Sequence, residues 1–143
     1  MSKLNYKIVT PERILLEGEA DSLTVMTANG EITVLPHHMP IATLLKAGEM
    51  RVKVGNDEQI FAHSSGLLEV NAQGDVVILA DTAERSDELE LGAIEVAKQR
   101  AEDALKEARN KNDVGFADAA AHLERELARY RVALKGRKHK DRH

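Results

Sequence analysis

At about residue 86 the sequence changes its grammar, and no other feature constrains the fold as much. Before that point, runs rich in Val, Ile and Leu recur at short intervals: "YKIVT", "SLTVMT", "EITVL", "EMRVKV", "QIFAH", "GLLEV" and "DVVILA". Gly18, "ANGE", "AGE", "GNDE", "SSG" and "AQGD" punctuate them as turns. In "EMRVKV", Met50, Val52 and Val54 alternate with Glu49, Arg51 and Lys53, the pattern of a strand with one buried and one wet face. Such spacing predicts an antiparallel β-sandwich or small barrel over residues 1–85.

Beyond "ADTAERSDELE" there is no proline, glycine is rare, and Ala, Glu, Lys, Arg and Leu dominate, which is helix composition. Ser86 is the expected N-cap, with Asp87 and Glu88 where the helix dipole favours acids. Leu89, Ala93, Ala97, Ala101, Ala104, Leu105 and Ala108 then recur at threes and fours, a narrow stripe made mostly of methyl groups. "NKNDVG" interrupts the pattern and offers Asp113 as a second cap, so the next helix is expected over about 114–134. Its apolar stripe is Phe116, Ala120, Leu123, Leu127, Tyr130 and Leu134, opposite Asp118, His122, Arg125 and Arg129. A short connection makes the pair an antiparallel hairpin over 86–135. The remaining "GRKHKDRH", residues 136–143, has no apolar side chain and is expected to be a basic disordered tail. The predicted class is α+β.

Composition narrows the function. With 3% aromatic residues and no Trp, the core must be built from aliphatic side chains. The absence of cysteine removes disulfides and thiolate chemistry. Apolar runs such as "VVILA" are too short for a transmembrane helix, and "MSKLNYKIVTPE" lacks the apolar core of a signal peptide, so a soluble chain is expected. The net charge of -4 hides an acidic body over residues 1–110 and a basic end over residues 111–143.

No motif demands an enzyme. His37, His38 and His63 are the candidates for a metal site, but adjacent strand residues such as His37 and His38 point to opposite faces, and no acid lies at a useful spacing. Ser64 and Ser65 sit in a turn, without a nucleophile elbow, P-loop or dinucleotide fingerprint anywhere in the chain. The basic end lacks the aromatic platforms of a nucleic-acid binder, so no nucleic-acid partner is expected, and Arg125 and Arg129 read as a solvated helix face or one that meets an acidic protein surface.

Three stretches carry a resemblance to a known family. "GEITVLPHHMPI" is similar to a G-E-x-x-x-x-P-x-H-x-P-L segment, with Gly30, Glu31, Pro36, His38 and Pro40 in register. "SSGLLEV" is similar to an S-G-G-x-L-E-V strand, and "VVILADTAER" to the lead into a helical hairpin. In this order, over residues 3 to about 135, they resemble the epsilon subunit of the bacterial rotary ATP synthase. The resemblance implies a non-catalytic central-stalk subunit, peripheral on the cytoplasmic face of the inner membrane, that touches membrane only through its complex. It implies that Glu31, Pro36, His38 and Pro40 contact the gamma subunit and the c ring, while the coupling ion is chosen in the ring. Two prolines stiffen that ridge, which lowers the entropy lost on binding. His37 stands where the family often has Gly.

The same resemblance implies that an extended hairpin reaches the alpha and beta subunits and blocks ATP hydrolysis, with Arg125, Arg129, Arg131 and Lys135 as the inhibitory face. Some relatives bind ATP between sandwich and hairpin through an I/L-D-x-x-R-A motif. Here Leu89 fits, Glu90 replaces the Asp, and Ala93 takes the place of the Arg, with Glu84 and Arg100 matching flanking positions. Losing that guanidinium forfeits a phosphate contact worth about 1.5–3 kcal/mol, so ATP is expected to be at most a weak regulatory ligand. The other readings are a small β-sandwich metalloenzyme using His37, His38 and His63, and a free-standing ligand-sensing module.

Overall fold

The computed structural model describes residues 2–110 and 115–141, with side chains through Lys135. Ten strands precede two helices: β1 (Leu4–Val9), β2 (Ile14–Ala20), β3 (Ser22–Thr27), β4 (Gly30–Val34), β5 (Ile41–Leu45), β6 (Gly48–Val54), β7 (Asp57–His63), β8 (Gly66–Val70), β9 (Val76–Ala80) and β10 (Ala83–Arg85). A 3-10 turn, Ser86–Glu88, leads into α1 (Leu91–Asn110) and α2 (Phe116–Asp141).

Hydrogen bonding orders the strands β10-β7-β6-β3-β5-β8-β9-β1-β2, with β4 also on β3. The seam between β3 and β5 holds a single residue pair, Thr27 with Leu45. There the sheet turns over on itself, so that β10, β7, β6, β3 and β4 form one wall and β5, β8, β9, β1 and β2 the other. Side chains from both walls fill one core, including Ile8, Leu23, Val25, Met50, Phe61, Leu68 and Ile78. Burying each of the larger ones contributes about 1.5–3 kcal/mol.

Alternation explains the best-formed strands. Leu4, Tyr6 and Ile8 point inward from β1, and Val76, Ile78 and Ala80 from β9. Met50 and Val52 are buried as their spacing predicts, but Val54, beside the Gly55 turn, is exposed. Among the described residues eight strand pairings are antiparallel and one, β1 with β9, is parallel, which departs from the all-antiparallel expectation. Gly66 admits no substitute, because a Cβ there would stand 1.9 Å from the carbonyl oxygen of Leu79.

The helical half differs from expectation in three places. Ser86 does not cap α1: it opens the 3-10 turn that holds Asp87 and Glu88, and α1 begins five residues later. Its buried residues are Ile94 and Ala101, while Ala93 and Ala104 of the expected stripe are exposed. On the other helix, Gly136 does not end α2, whose backbone runs on to Asp141 instead of giving way to a tail at 136. One glycine costs a helix only about 1 kcal/mol, and no proline follows to stop it. The cap expected at Asp113 lies outside the described residues.

Candidate functional site

The segment that joins β4 to β5 is a tight turn built on a proline. The His38 amide donates to Leu35 O at 3.2 Å, closing a four-residue turn with Pro36 second and His37 third. His37 takes φ 68°, the left-handed value that a type II turn requires at its third position and that glycine adopts without strain. This is the physical reason a Gly suits that position. His37 Nε2 lies 3.1 Å from Ser2 Oγ, and His38 Nδ1 donates to Met39 O at 2.6 Å. The turn abuts Gly74, which takes φ 84°, a left-handed value that glycine adopts without strain.

Apolar side chains crown this ridge and face solvent. Met39 is 73% exposed, Leu35 is also uncovered, and Pro40 is exposed between them and β5. Glu31 stands on neighbouring β4, where Arg51 Nη2 donates to its Oε1 at 3.1 Å. Burial works against the charge on Arg51, but its bonds to Glu31 and Glu49 outweigh it and raise its pKa.

Sequence reasoning missed a second apolar surface. Register places Leu44 opposite Leu67, Leu67 opposite Leu79, Leu79 beside Val9, and Val9 opposite Ile14. Residues in register across a sheet share a face, and Leu68, Ile78 and Ile8 take the inner one. The row therefore runs across the outside of five strands, with Leu44 65% exposed and Leu79 and Ile14 also open. It left no periodic signal because each strand contributes a single member.

The three histidines are not brought together. His63 is buried on β7, with Nδ1 donating to Ser64 O at 3.0 Å and Nε2 unpartnered, whereas His37 and His38 belong to the β4–β5 turn. Burial pushes the His63 pKa down, against weaker backbone hydrogen bonds that raise it. Among the described residues, no group of three His, Cys, Asp or Glu is placed to hold a metal ion. The geometry thus removes the basis for the metalloenzyme reading.

The hairpin is held by charge as much as by apolar contact. Ala128, Val132 and Ala133 of α2 are buried, and α2 packs on β6, β7 and the 3-10 turn, with α1 packed on α2. The face carrying Arg129, read from the sequence as opposite the apolar stripe, is the one turned to the sandwich. Arg129 Nη2 donates to Glu84 Oε2 at 3.1 Å and Nη1 to Glu126 Oε2 at 2.8 Å, while Nε sits 2.8 Å from Glu84 Oε1 but off the hydrogen-bond line. Lys135 Nζ donates to Glu49 Oε2 at 2.5 Å. The expected stripe faces α1 instead, where Lys98 Nζ lies 4.6 Å above the Tyr130 ring.

The other sequence candidates are scattered. Arg125 donates to His122 Nδ1 at 2.8 Å beside a cavity of about 550 Å³ between α2 and the sandwich, and Arg131 is exposed. Of the nucleotide-site candidates, Glu84 is committed to Arg129, Leu89 is half-buried, and Glu90 and Arg100 are exposed. Among the described residues, no helix is long and apolar enough to cross a membrane.

Comparison with known proteins places these features. Residues 3–86 match the family model of the ATP synthase delta/epsilon chain β-sandwich domain. The ATP synthase epsilon chain of Dehalococcoides mccartyi is 40% identical over 141 residues, covering 97% of this chain and 98% of that one. That of Moorella thermoacetica is 42% identical over 135 residues, covering 93% and 98%. A chain in the Euglena gracilis mitochondrial ATP synthase shares the fold with a TM-score of 0.71 at 22% identity, over 94% of this chain and 82% of that one. A chain of the Tetrahymena thermophila mitochondrial ATP synthase does so at 0.54 and 18%, over 62% and 71%. With its β-sandwich and two C-terminal helices matched along nearly their whole length, this chain belongs to the ATP synthase epsilon-chain family.

Proposed function

We propose that the chain is a non-catalytic subunit of the central stalk that binds the gamma subunit and the c ring, and whose hairpin restrains ATP hydrolysis when it leaves the sandwich. The observation that carries this reading is the apolar row Leu44, Leu67, Leu79, Val9 and Ile14 on the outer wall, with Leu44, Leu79 and Ile14 exposed and Leu67 and Val9 half-buried between them. Such a row is unusual on a free surface and suits a protein partner. The stiff ridge of Pro36, His38 and Pro40, with Glu31 nearby, supplies a second contact at another edge, which we assign to the ring-facing end. Holding the hairpin by small side chains and ion pairs makes it separable, since each methyl buries little area. In the extended state Arg125, Arg129, Arg131 and Lys135 would be free to meet acidic segments of the alpha and beta subunits. ATP has at most a weak role in this reading, because Ala93 offers no cation to phosphate. Attachment to the membrane runs through the complex, on its cytoplasmic side.

The test is calorimetric binding to purified gamma subunit. Leu79→Asp should weaken binding at least about tenfold, since it places a charge in an apolar contact. Glu31→Ala and His38→Ala should weaken assembly with gamma and the ring. Unchanged binding by all three variants would refute the assigned surfaces. In the assembled enzyme, deletion of residues 86–143 should accelerate ATP hydrolysis while coupling is kept.

A further inference from the structure

We infer that Arg51 is the pivot of an ion-pair relay through which occupation of Glu31 by a partner's cationic side chain loosens the hairpin. Arg51 stands on β6 between two acids that lead in opposite directions. Toward the ridge, Nη2 donates to Glu31 Oε1 at 3.1 Å and Nη1 lies 3.5 Å from Oε2. Toward the hairpin, the same Nη1 reaches Glu49 Oε1 at 3.5 Å. The second oxygen of Glu49 accepts from Lys135 on α2 at 2.5 Å. Glu31, Arg51, Glu49 and Lys135 thus form an unbroken chain of alternating charge from β4 to the helix. Arg51 and Glu49, in the middle, are better covered than Glu31 and Lys135 at the ends, so solvent screens the central pair least.

Sharing makes the chain responsive. Nη1 sits at the long limit of a hydrogen bond to both acids, so the guanidinium is divided between them. A partner's Lys or Arg that takes Glu31 leaves Arg51 to turn wholly to Glu49. That carboxylate is then better neutralised, and its hold on Lys135 weakens. The element with two states is the hairpin, and the difference between them includes the Lys135–Glu49 bond, which only the docked state makes. Glu31 and Lys135 therefore oppose each other without touching. The inference rests on the reading that Glu31 meets a partner, but the relay lies within this chain and can be probed alone.

The experiment is amide hydrogen exchange on the full chain, read at Val132 and Ala133 of α2 and, as a control, at Val25 and Ile78 of the core. Glu31→Gln mimics an occupied Glu31 and should accelerate exchange at Val132 and Ala133 about threefold, with the core amides unchanged. In an Arg51→Gln background the same change should have no effect, and Glu49→Gln should open the hairpin at least as far as Glu31→Gln. No acceleration in Glu31→Gln, an effect that persists without Arg51, or an equal change in the core would each overturn the relay. Adding purified gamma subunit and c ring to the wild-type chain should reproduce the acceleration. If they bind and exchange stays slow, the partner's part in the relay is overturned; if they do not bind, the assignment of Glu31 to a partner surface fails, whatever the variants show.

Discussion

Arg129→Met is the sharpest test of how the hairpin is held. The change keeps the length and the apolar stem of the side chain but removes a guanidinium that contacts Glu84 on β10 and Glu126 on its own helix. The Arg129 side chain is 25% exposed, so its bonds must be discounted for screening; together they contribute about 1 kcal/mol. The larger cost falls on Glu126, whose side chain is only 4% exposed. After the change its nearest cation is Arg125, at 3.8 Å, and leaving a carboxylate so poorly paired costs about 1–3 kcal/mol. Docking should therefore weaken by about 2–4 kcal/mol, roughly a thirty- to thousandfold shift toward the open state. Exchange of the α2 amides at Ala128, Val132 and Ala133 measures that shift. Adding Glu126→Gln removes the stranded charge and should recover about half of the loss. Wild-type protection in Arg129→Met, or no recovery in the double variant, would refute the argument.

Three further outcomes follow from the sandwich. His37→Gly should raise stability by about 0.5–1 kcal/mol in a thermal melt, because it relieves a left-handed backbone at the cost of some unfolded-state entropy. Gly66→Ala should cost more than about 4 kcal/mol or prevent folding, since its Cβ would collide with Leu79 O in β9; soluble expression and chemical denaturation measure it. Burial depresses the His63 pKa, so the unfolded chain binds the proton more readily. Its contribution is complete above the ordinary value near 6.5 and is lost as pH falls below it toward the folded pKa, by up to about 1.4 kcal/mol per pH unit. Denaturation midpoints of His63→Gln should show a shallower fall across that window.

How much of this was legible depended on where each surface found its partner. β1, β3, β4 and β6 to β9 announced themselves because each buries one face against a common core. β2 did not: most of "ILLEGEA" is half-buried or exposed, and no alternation marks it. β5 follows directly on Pro40, and β10 has three residues, too few for a pattern. The ridge was readable from Pro36, His38 and Pro40, whose local chemistry is fixed by proline. The hairpin's docking face was not, because Arg129 and Lys135 are satisfied by acids far away in the sequence, and a one-dimensional pattern shows them only as polar. Ser86 failed as a cap for a related reason: the chain spends its first turn after β10 in a 3-10 hydrogen bond from Leu89 N to Ser86 O before it can enter α1.

The parallel pairing of β1 with β9 has a consequence for how the molecule is made. Tyr6 aligns with Val76, so the first strand has no inner neighbour until nearly the whole sandwich has left the ribosome. Until then its only sheet contact is the hairpin with β2, and a two-stranded hairpin is marginal in water. Closure of this wall is a late, long-range event that no local nucleus can replace. A translation pause shortly before Val76 emerges would leave both edges of that hairpin bare, which makes it the stage at which a nascent chain is most prone to aggregate.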